Sequence, residues 1–318
     1  MFICKGNRQV TVPDECSMIN CLFHGFYTEE SGGVLYLNDM EFHIDIYLCT
    51  FYLCVSYISG GALFFNNAAN GKSSINMRNT CASTCFALSV DNNGAFANVQ
   101  LKCYPICNMS FVSILKSSPH KTVTWGTVLI SKANASIMNV NSSKNQCYIG
   151  SCFWIQSCDN TLINSCTFQG NSIEYGHNFY FGSSTGSRII QNCNVIGNNG
   201  INYGVMSHQG NSQFLILNCV FTKNTEILFC NLWHSGYGGS GVLTVRSCYI
   251  SHSGTIFSSW AGAPIYNEMN SFTTFPTYAH SHFNTFHCFA EIPNNVPITA
   301  HYALRLNSLY ISMISLIM

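Results

Sequence analysis

Apolar residues along this chain alternate in short bursts, and the bursts restart at a nearly fixed offset. The clearest is Phe214-Leu215-Ile216-Leu217-Asn218-Cys219-Val220-Phe221-Thr222-Lys223-Asn224. Counted from its cysteine, apolar residues stand at −5 and −3, Asn or Ser at −1, an apolar residue at +2, and Asn or Ser at +5. Further copies centre on Cys166, Cys193 and Cys248, and degenerate copies on Cys21 and Cys49. The step is 28 residues between the first two, then 27, 26 and 29 among the last four. Alternation of period two marks a strand. The jump from −3 to 0 breaks that parity, so the chain must turn a corner at −1. Asn20, Asn192 and Asn218 suit the corner because asparagine tolerates left-handed backbone.

A third strand follows at a constant distance. Gly32-Gly33 and Gly60-Gly61 lie at +11 and +12 from Cys21 and Cys49, and the apolar runs Val34–Leu37 and Ala62–Phe65 come directly after. Gly33 and Gly61 are therefore repeat positions, as are Asn171 and Asn224 at +5. Roughly three short strands per 26–29 residues, with no helical periodicity, predict an all-β fold, a parallel β-helix solenoid. Equivalent Asn residues should stack into ladders, and Trp233 and Trp260, one coil apart, should stack likewise. The chain reads as a single domain over 1–318. Regular coils are expected over about 15–85, where Thr80 takes the cysteine position, and over 158–262. The rhythm is poor over 86–157, and 263–318, with its prolines, reads as degraded coils or a C-terminal cap.

Composition sharpens this picture. Charged residues are only 8% of the chain, against roughly 25% in ordinary soluble proteins. Thirteen basic residues balance thirteen acidic ones, and no basic stripe offers a footprint for phosphate backbones, which excludes nucleic acid as an expected partner. Six of the 18 cysteines fall on the repeat position. They read as a column of buried small hydrophobes: Cys21, Cys49, Cys166, Cys193, Cys219 and Cys248. Disulfides are open for the close pairs Cys49/Cys54, Cys81/Cys85, Cys103/Cys107 and Cys147/Cys152, with connectivity unassigned. The start, Met1–Arg8, shows no apolar leader segment. The run Leu309–Met318 is shorter than the roughly 20 residues of a membrane span, so no transmembrane helix is expected.

Candidate chemistry is sparse. Asp14/Glu15 and Glu29/Glu30 are adjacent and would face opposite sides of a strand, while Asp39 and Glu41 fall in a connection. Asp159-Asn160, Gly176-His177-Asn178 and Arg188-Ile189-Ile190 superficially resemble the polygalacturonase pattern. The second carboxylate, the final glycine and the lysine of that pattern are missing, which removes an inverting hydrolase's acid or base. His177 is expected exposed or capping at the start of a third strand. His280 and His282, with His287 and Cys288 nearby, have a zinc-like composition in an irregular tail. Asp91-Asn92-Asn93-Gly94 reads as a turn. No catalytic, metal or cofactor site is assigned.

Gly-Gly-Val/Ala-Leu at Gly32–Leu35 and Gly60–Leu63, with Phe-x-x-Asn at Phe168–Asn171 and Phe221–Asn224, resembles the repeats of chlamydial polymorphic outer-membrane proteins. The low charge and cysteine column are closer in style to the related Cys- and Asn-rich β-helix proteins of trichomonad protists. The resemblance covers about two thirds of the chain. It implies a right-handed parallel β-helix, a fold shared with pectate lyases, and a surface or adhesive role. The partner it implies is carbohydrate or a host or cell-surface protein. The alternatives are a polysaccharide lyase or hydrolase of the pectin-lyase-like class, and a truncated family member without independent function.

Overall fold

The computed structural model describes residues 2–5, 15–67, 72–89, 92–118, 124–184, 186–200, 204–210, 212–225, 228–233, 241–251, 255–259, 265–268, 277–280, 282–285 and 288. Among them every regular element is a strand, and every strand pairing is parallel to its neighbour one coil away. The chain winds as a parallel β-solenoid of about seven turns. Three walls enclose the core. The first holds strands such as Thr161–Asn164, Arg188–Gln191 and Gln213–Leu217. The second holds Thr167–Gln169, Asn194–Ile196 and Val220–Thr222. The third is a nine-stranded sheet that includes Phe153–Gln156 and Phe179–Ser184. In some coils a two-residue strand, such as Tyr27–Thr28 or Val55–Ser56, sits between the second and third walls. Period-two alternation turns one row of each wall inward, so Ile137, Ile163, Ile190, Ile216 and Val245 stack in register in the core.

The corner between the first two walls is left-handed in coil after coil. φ is 56° at Asn20, 55° at Ser165, 54° at Asn192, 49° at Asn218 and 52° at Ser247. Leu48 adopts 55° as well, without the local side-chain bonding that eases this conformation for asparagine. Each corner N–H is spent across the coils, as when Asn192 donates to the Leu217 carbonyl at 3.0 Å.

The residue after the corner points inward, and there the cysteine does more than fill space. The Cys219 thiol donates to the Leu217 carbonyl at 3.0 Å and also reaches the Ile190 carbonyl one coil away at 3.7 Å. Cys193, Cys166, Cys248 and Cys49 repeat both contacts. Thr80 keeps the first with its hydroxyl, donating to the Arg78 carbonyl at 3.1 Å. The same device recurs at other corners, where Leu53, Thr84 and Ser157 are left-handed and precede Cys54, Cys85 and Cys158, whose thiols bond the corresponding carbonyls. Burial pushes the Cys49 and Cys107 thiols up to about 12, so these groups stay protonated donors at neutral pH.

Four residues further on, the chain turns again and asparagines form a continuous ladder. The Asn171 side chain accepts from the backbone N–H of Asn145 at 3.0 Å and donates to the Ser142 carbonyl at 2.8 Å. Asn198 and Asn224 repeat the pattern in the next coils, and the ladder begins with Asn145 accepting from Ser117 N–H. The glycine pair at the entry to the third wall divides two roles. Gly32 and Gly60 supply φ of +66° and +62°. A Cβ on Gly33 would lie 2.2 Å from the Gly61 carbonyl oxygen, and one on Gly61 2.3 Å from that of Ala95.

Three expectations are corrected. The stretch 86–157 is built of coils like its neighbours: Thr80 pairs with Val112, and the second wall continues through Asn141–Ser143. Its rhythm escapes the period because the coil from Asn76 to Asn108 lengthens to 32 residues and because valines replace cysteine in the column. No disulfide joins the close cysteine pairs. None of these cysteines but Cys81 is in a disulfide, and Cys81 is bonded to Cys288 across 207 residues. Past 263, Ile265–Glu268 adds a rung to the first wall, but residues 277–280, 282–285 and 288 do not coil: they lie along the second wall, and 289–318 fall outside the described residues. The side chains of Trp233 and Trp260 fall outside the described residues.

Loss of ladder and column should separate in unfolding experiments. Asn171→Ala strands the buried Asn145 N–H and Ser142 carbonyl of the preceding coil and should cost about 3 kcal/mol. Cys219→Val reproduces the Val112 and Val140 rungs and should cost no more than about 1 kcal/mol. Urea or thermal denaturation of the two variants checks the difference.

Candidate binding face

Period-two alternation also sends one row of the third wall outward. Tyr36, Phe64, Asn98, Leu129, Trp154 and Tyr180 occupy successive rungs of it. Neighbouring rungs lie about 4.8 Å apart, but Asn98, Leu129 and Trp154 are buried, so the exposed surface of the row is not continuous and is greatest at Tyr36. Flat rings at that spacing stack. Tyr36 lies over Phe64 at 5.2 Å, and Trp154 over Tyr180 at 4.2 Å. Trp125, from the turn into the wall, extends the second stack by packing on Trp154 at 5.3 Å and 21° between planes. A separate pair of rings, Tyr148 and Tyr175, stacks at 5.7 Å. Trp125 and Tyr175 remain 37% and 38% exposed, so each stack ends in an accessible ring. Polar edges are fixed: the Tyr180 hydroxyl donates to Gln209 Oε1 at 2.6 Å, and Trp154 Nε1–H donates to Gln156 Oε1 at 3.3 Å.

The first wall carries a second feature, a shallow groove of about 490 Å³ on its outer face. Asn108, Asn134, Asn160 and Ser187 present amides and a hydroxyl around Ile106, Leu162 and Ile189. Asn160 donates to Asn134 Oδ1 at 3.3 Å. No charged side chain lines it.

The residues that resemble a polygalacturonase set are placed otherwise. Arg188 occupies an inward position and is fully buried. Its guanidinium donates to the carbonyls of Phe181 and Gly182, both at 3.0 Å, and to His208 Nδ1 at 2.7 Å. Burial lowers Arg188 to about 10, which leaves it charged at neutral pH. Burial and the neighbouring guanidinium lower His208 to about 3. His208 is therefore a neutral ring that accepts at Nδ1 and donates from Nε2 to the Ser212 carbonyl at 3.3 Å. His177, expected exposed or capping, is buried two residues before the third-wall strand. Arg188 and His208 are legible as a pair only in hindsight: His208 interrupts a row of apolar residues that includes Ile155 and Phe181, and Arg188 lies between Thr161 and Phe214 on its own row.

Asp39 is exposed and pairs with Lys102 at 3.9 Å. Of the tail histidines, His280 bonds Thr167 and His282 the Asn139 carbonyl, while the Cys288 sulfur is committed to its disulfide. His287 and Asp91 fall outside the described residues. Among the described residues no group of three His, Cys, Asp or Glu side chains is placed to hold a metal ion, and no helix is long and apolar enough to cross a membrane. The structural repeat cysteines, asparagines and glycines sit at corners and in the core, not on a shared reactive surface. The chain matches no family model, no curated protein and no solved structure.

The neutral, buried His208 makes stability pH-dependent. A group whose folded value lies below its ordinary 6.5 supports the fold fully above that value and withdraws support as pH falls toward 3. Between pH 7.5 and pH 5 the loss from His208 should be on the order of 2 kcal/mol. Denaturation midpoints across that range check it, and His208→Gln, which keeps an acceptor without titrating, should remove that share of the slope and leave the share of His282, which burial also lowers to about 3.

Proposed function

We propose that this solenoid is a non-catalytic binding protein whose third-wall aromatic row docks an uncharged carbohydrate chain. The observation that carries this reading is the Trp125–Trp154–Tyr180 stack, which ends in the exposed ring of Trp125. Aromatic faces offer large apolar area at little conformational cost, and their polar edges suit a ligand that is apolar on one side and hydroxylated on the other. Further exposed rings at Tyr36 and Tyr175 give a chain of sugars more than one place to stack. The scarcity of charge supports an uncharged ligand, because no cation is posted on the row to meet an acidic sugar. The inward turn of Arg188 supports binding without cleavage, since that guanidinium is spent on the core. The likeness to polymorphic outer-membrane repeats and protist surface-type β-helices agrees with an adhesive, surface-facing role.

A glycan array of neutral polysaccharides, read beside an assay for reducing or unsaturated ends, tests the proposal. Binding without release of ends is expected, and Trp125→Ala should weaken it about tenfold while leaving the circular dichroism spectrum unchanged. Release of sugar ends would support the lyase or hydrolase alternative, and an array without a hit would remove the carbohydrate reading.

A further inference from the structure

The outward row of the second wall is buried, which an outer face is not unless something lies on it. Ser113, Asn141, Thr167 and Asn194 occupy successive rungs of this row and have no exposed surface. Residues 277–280, 282–285 and 288 lie against it. The segment descends the coils against the chain's own order, because Tyr278 meets Asn194, His280 meets Thr167, His282 meets Asn139 and Cys288 meets Cys81. Recognition is of extended backbone. The Asn194 side chain donates to the Tyr278 carbonyl at 2.8 Å and accepts from the Tyr278 N–H at 2.9 Å, as a neighbouring strand would. Asn194 also donates to Thr167 Oγ1 at 3.3 Å, which directs the threonine hydroxyl toward His280 Nδ1 at 3.1 Å. Phe283 packs into a small apolar cluster with Leu115, Cys81 and Leu48. The disulfide closes the far end, next to a turn in which Thr285 and Cys288 exchange two backbone hydrogen bonds.

We propose that the outer face of the second wall is a groove for an extended peptide, occupied by the chain's own 277–288 strap, and that Cys81–Cys288 is the redox latch that holds it there. The other cysteines whose side chains are described form no disulfide, and most are sealed in the core. The only disulfide among the described residues thus joins strap to groove and does not join wall to wall. Opening it requires a thiol reductant, taken here as a dithiol. One thiolate attacks a sulfur of the bond, the S–S bond breaks, and the departing thiolate takes a proton. The second thiol resolves the mixed disulfide, so the protein gains two electrons and two protons and the dithiol becomes a cyclic disulfide. What then holds the strap is a few neutral hydrogen bonds and one phenylalanine, and the tether no longer fixes its end.

Hydrogen exchange on the oxidised and the dithiol-reduced, thiol-capped protein tests this, with mass spectrometry confirming the state of Cys81 and Cys288. Reduction should accelerate exchange at 277–285 at least tenfold and leave the first- and third-wall strands unchanged. A fluorescent peptide of residues 277–288 carrying Cys288→Ser should then bind the reduced protein saturably and the oxidised protein not at all. Unchanged strap protection after reduction overturns the latch, and so does loosening of all three walls together, which would mark the bond as a general staple. A peptide that ignores the opened groove overturns the groove. Full-length Cys288→Ser, never oxidised at this site, should reproduce the reduced pattern, and a protected strap in that variant counts against the proposal equally.

Discussion

The corner at the end of each first-wall strand is the constraint on which the rest of this molecule depends. A parallel solenoid must bend its chain sharply at the same place in every coil, and the bend leaves a carbonyl turned toward the interior. Here one residue goes left-handed and the next supplies a small inward donor to that carbonyl. A thiol does this at Cys49, Cys166, Cys193, Cys219 and Cys248, and a hydroxyl at Thr80. Sulfur suits the place because it is apolar enough for the core and still donates weakly. Valine at Val112 and Val140 shows that volume is the stricter requirement and the hydrogen bond the lesser one.

Once the corner is fixed, register follows, since each rung must place its corner over the last. The same register lines up the asparagines at +5, where every side chain ties its own coil to the one before. It also aligns rows that have nothing to do with the core. On the third wall it delivers rings at the spacing of stacked aromatics, and on the second it delivers amides and hydroxyls at the spacing of an extended backbone. A binding face and a strap groove are in this sense by-products of a repeating corner, with the ligand decided by which residues happen to occupy the outward positions.

That origin also explains what the sequence disclosed. The corner leaves a short, strict signature, so Cys166 through Cys248 and the left-handed Asn192 and Asn218 were readable from spacing alone. The middle coils were not, because Phe111 stands at a corner and the coil before it is longer, which breaks period and residue type together. Outward rows obey no rule of volume or polarity, so Trp154 and Tyr180 gave no signal before their rungs were aligned. The strap was the least legible part. Its partners lie 84 to 207 residues away, and no local pattern announces a contact between a tail and the middle of a solenoid.

Native-state thiol mapping tests the corner account most directly. The folded protein would be treated with a small alkylating reagent, then denatured, labelled with a second reagent and digested without reduction. Cys166, Cys193, Cys219 and Cys248 should carry only the second label, exposed Cys103 the first, and Cys81 and Cys288 should appear in one cross-linked peptide. Rapid labelling of the column in the folded state, or a disulfide joining Cys49 to Cys54 or Cys147 to Cys152, would contradict the account.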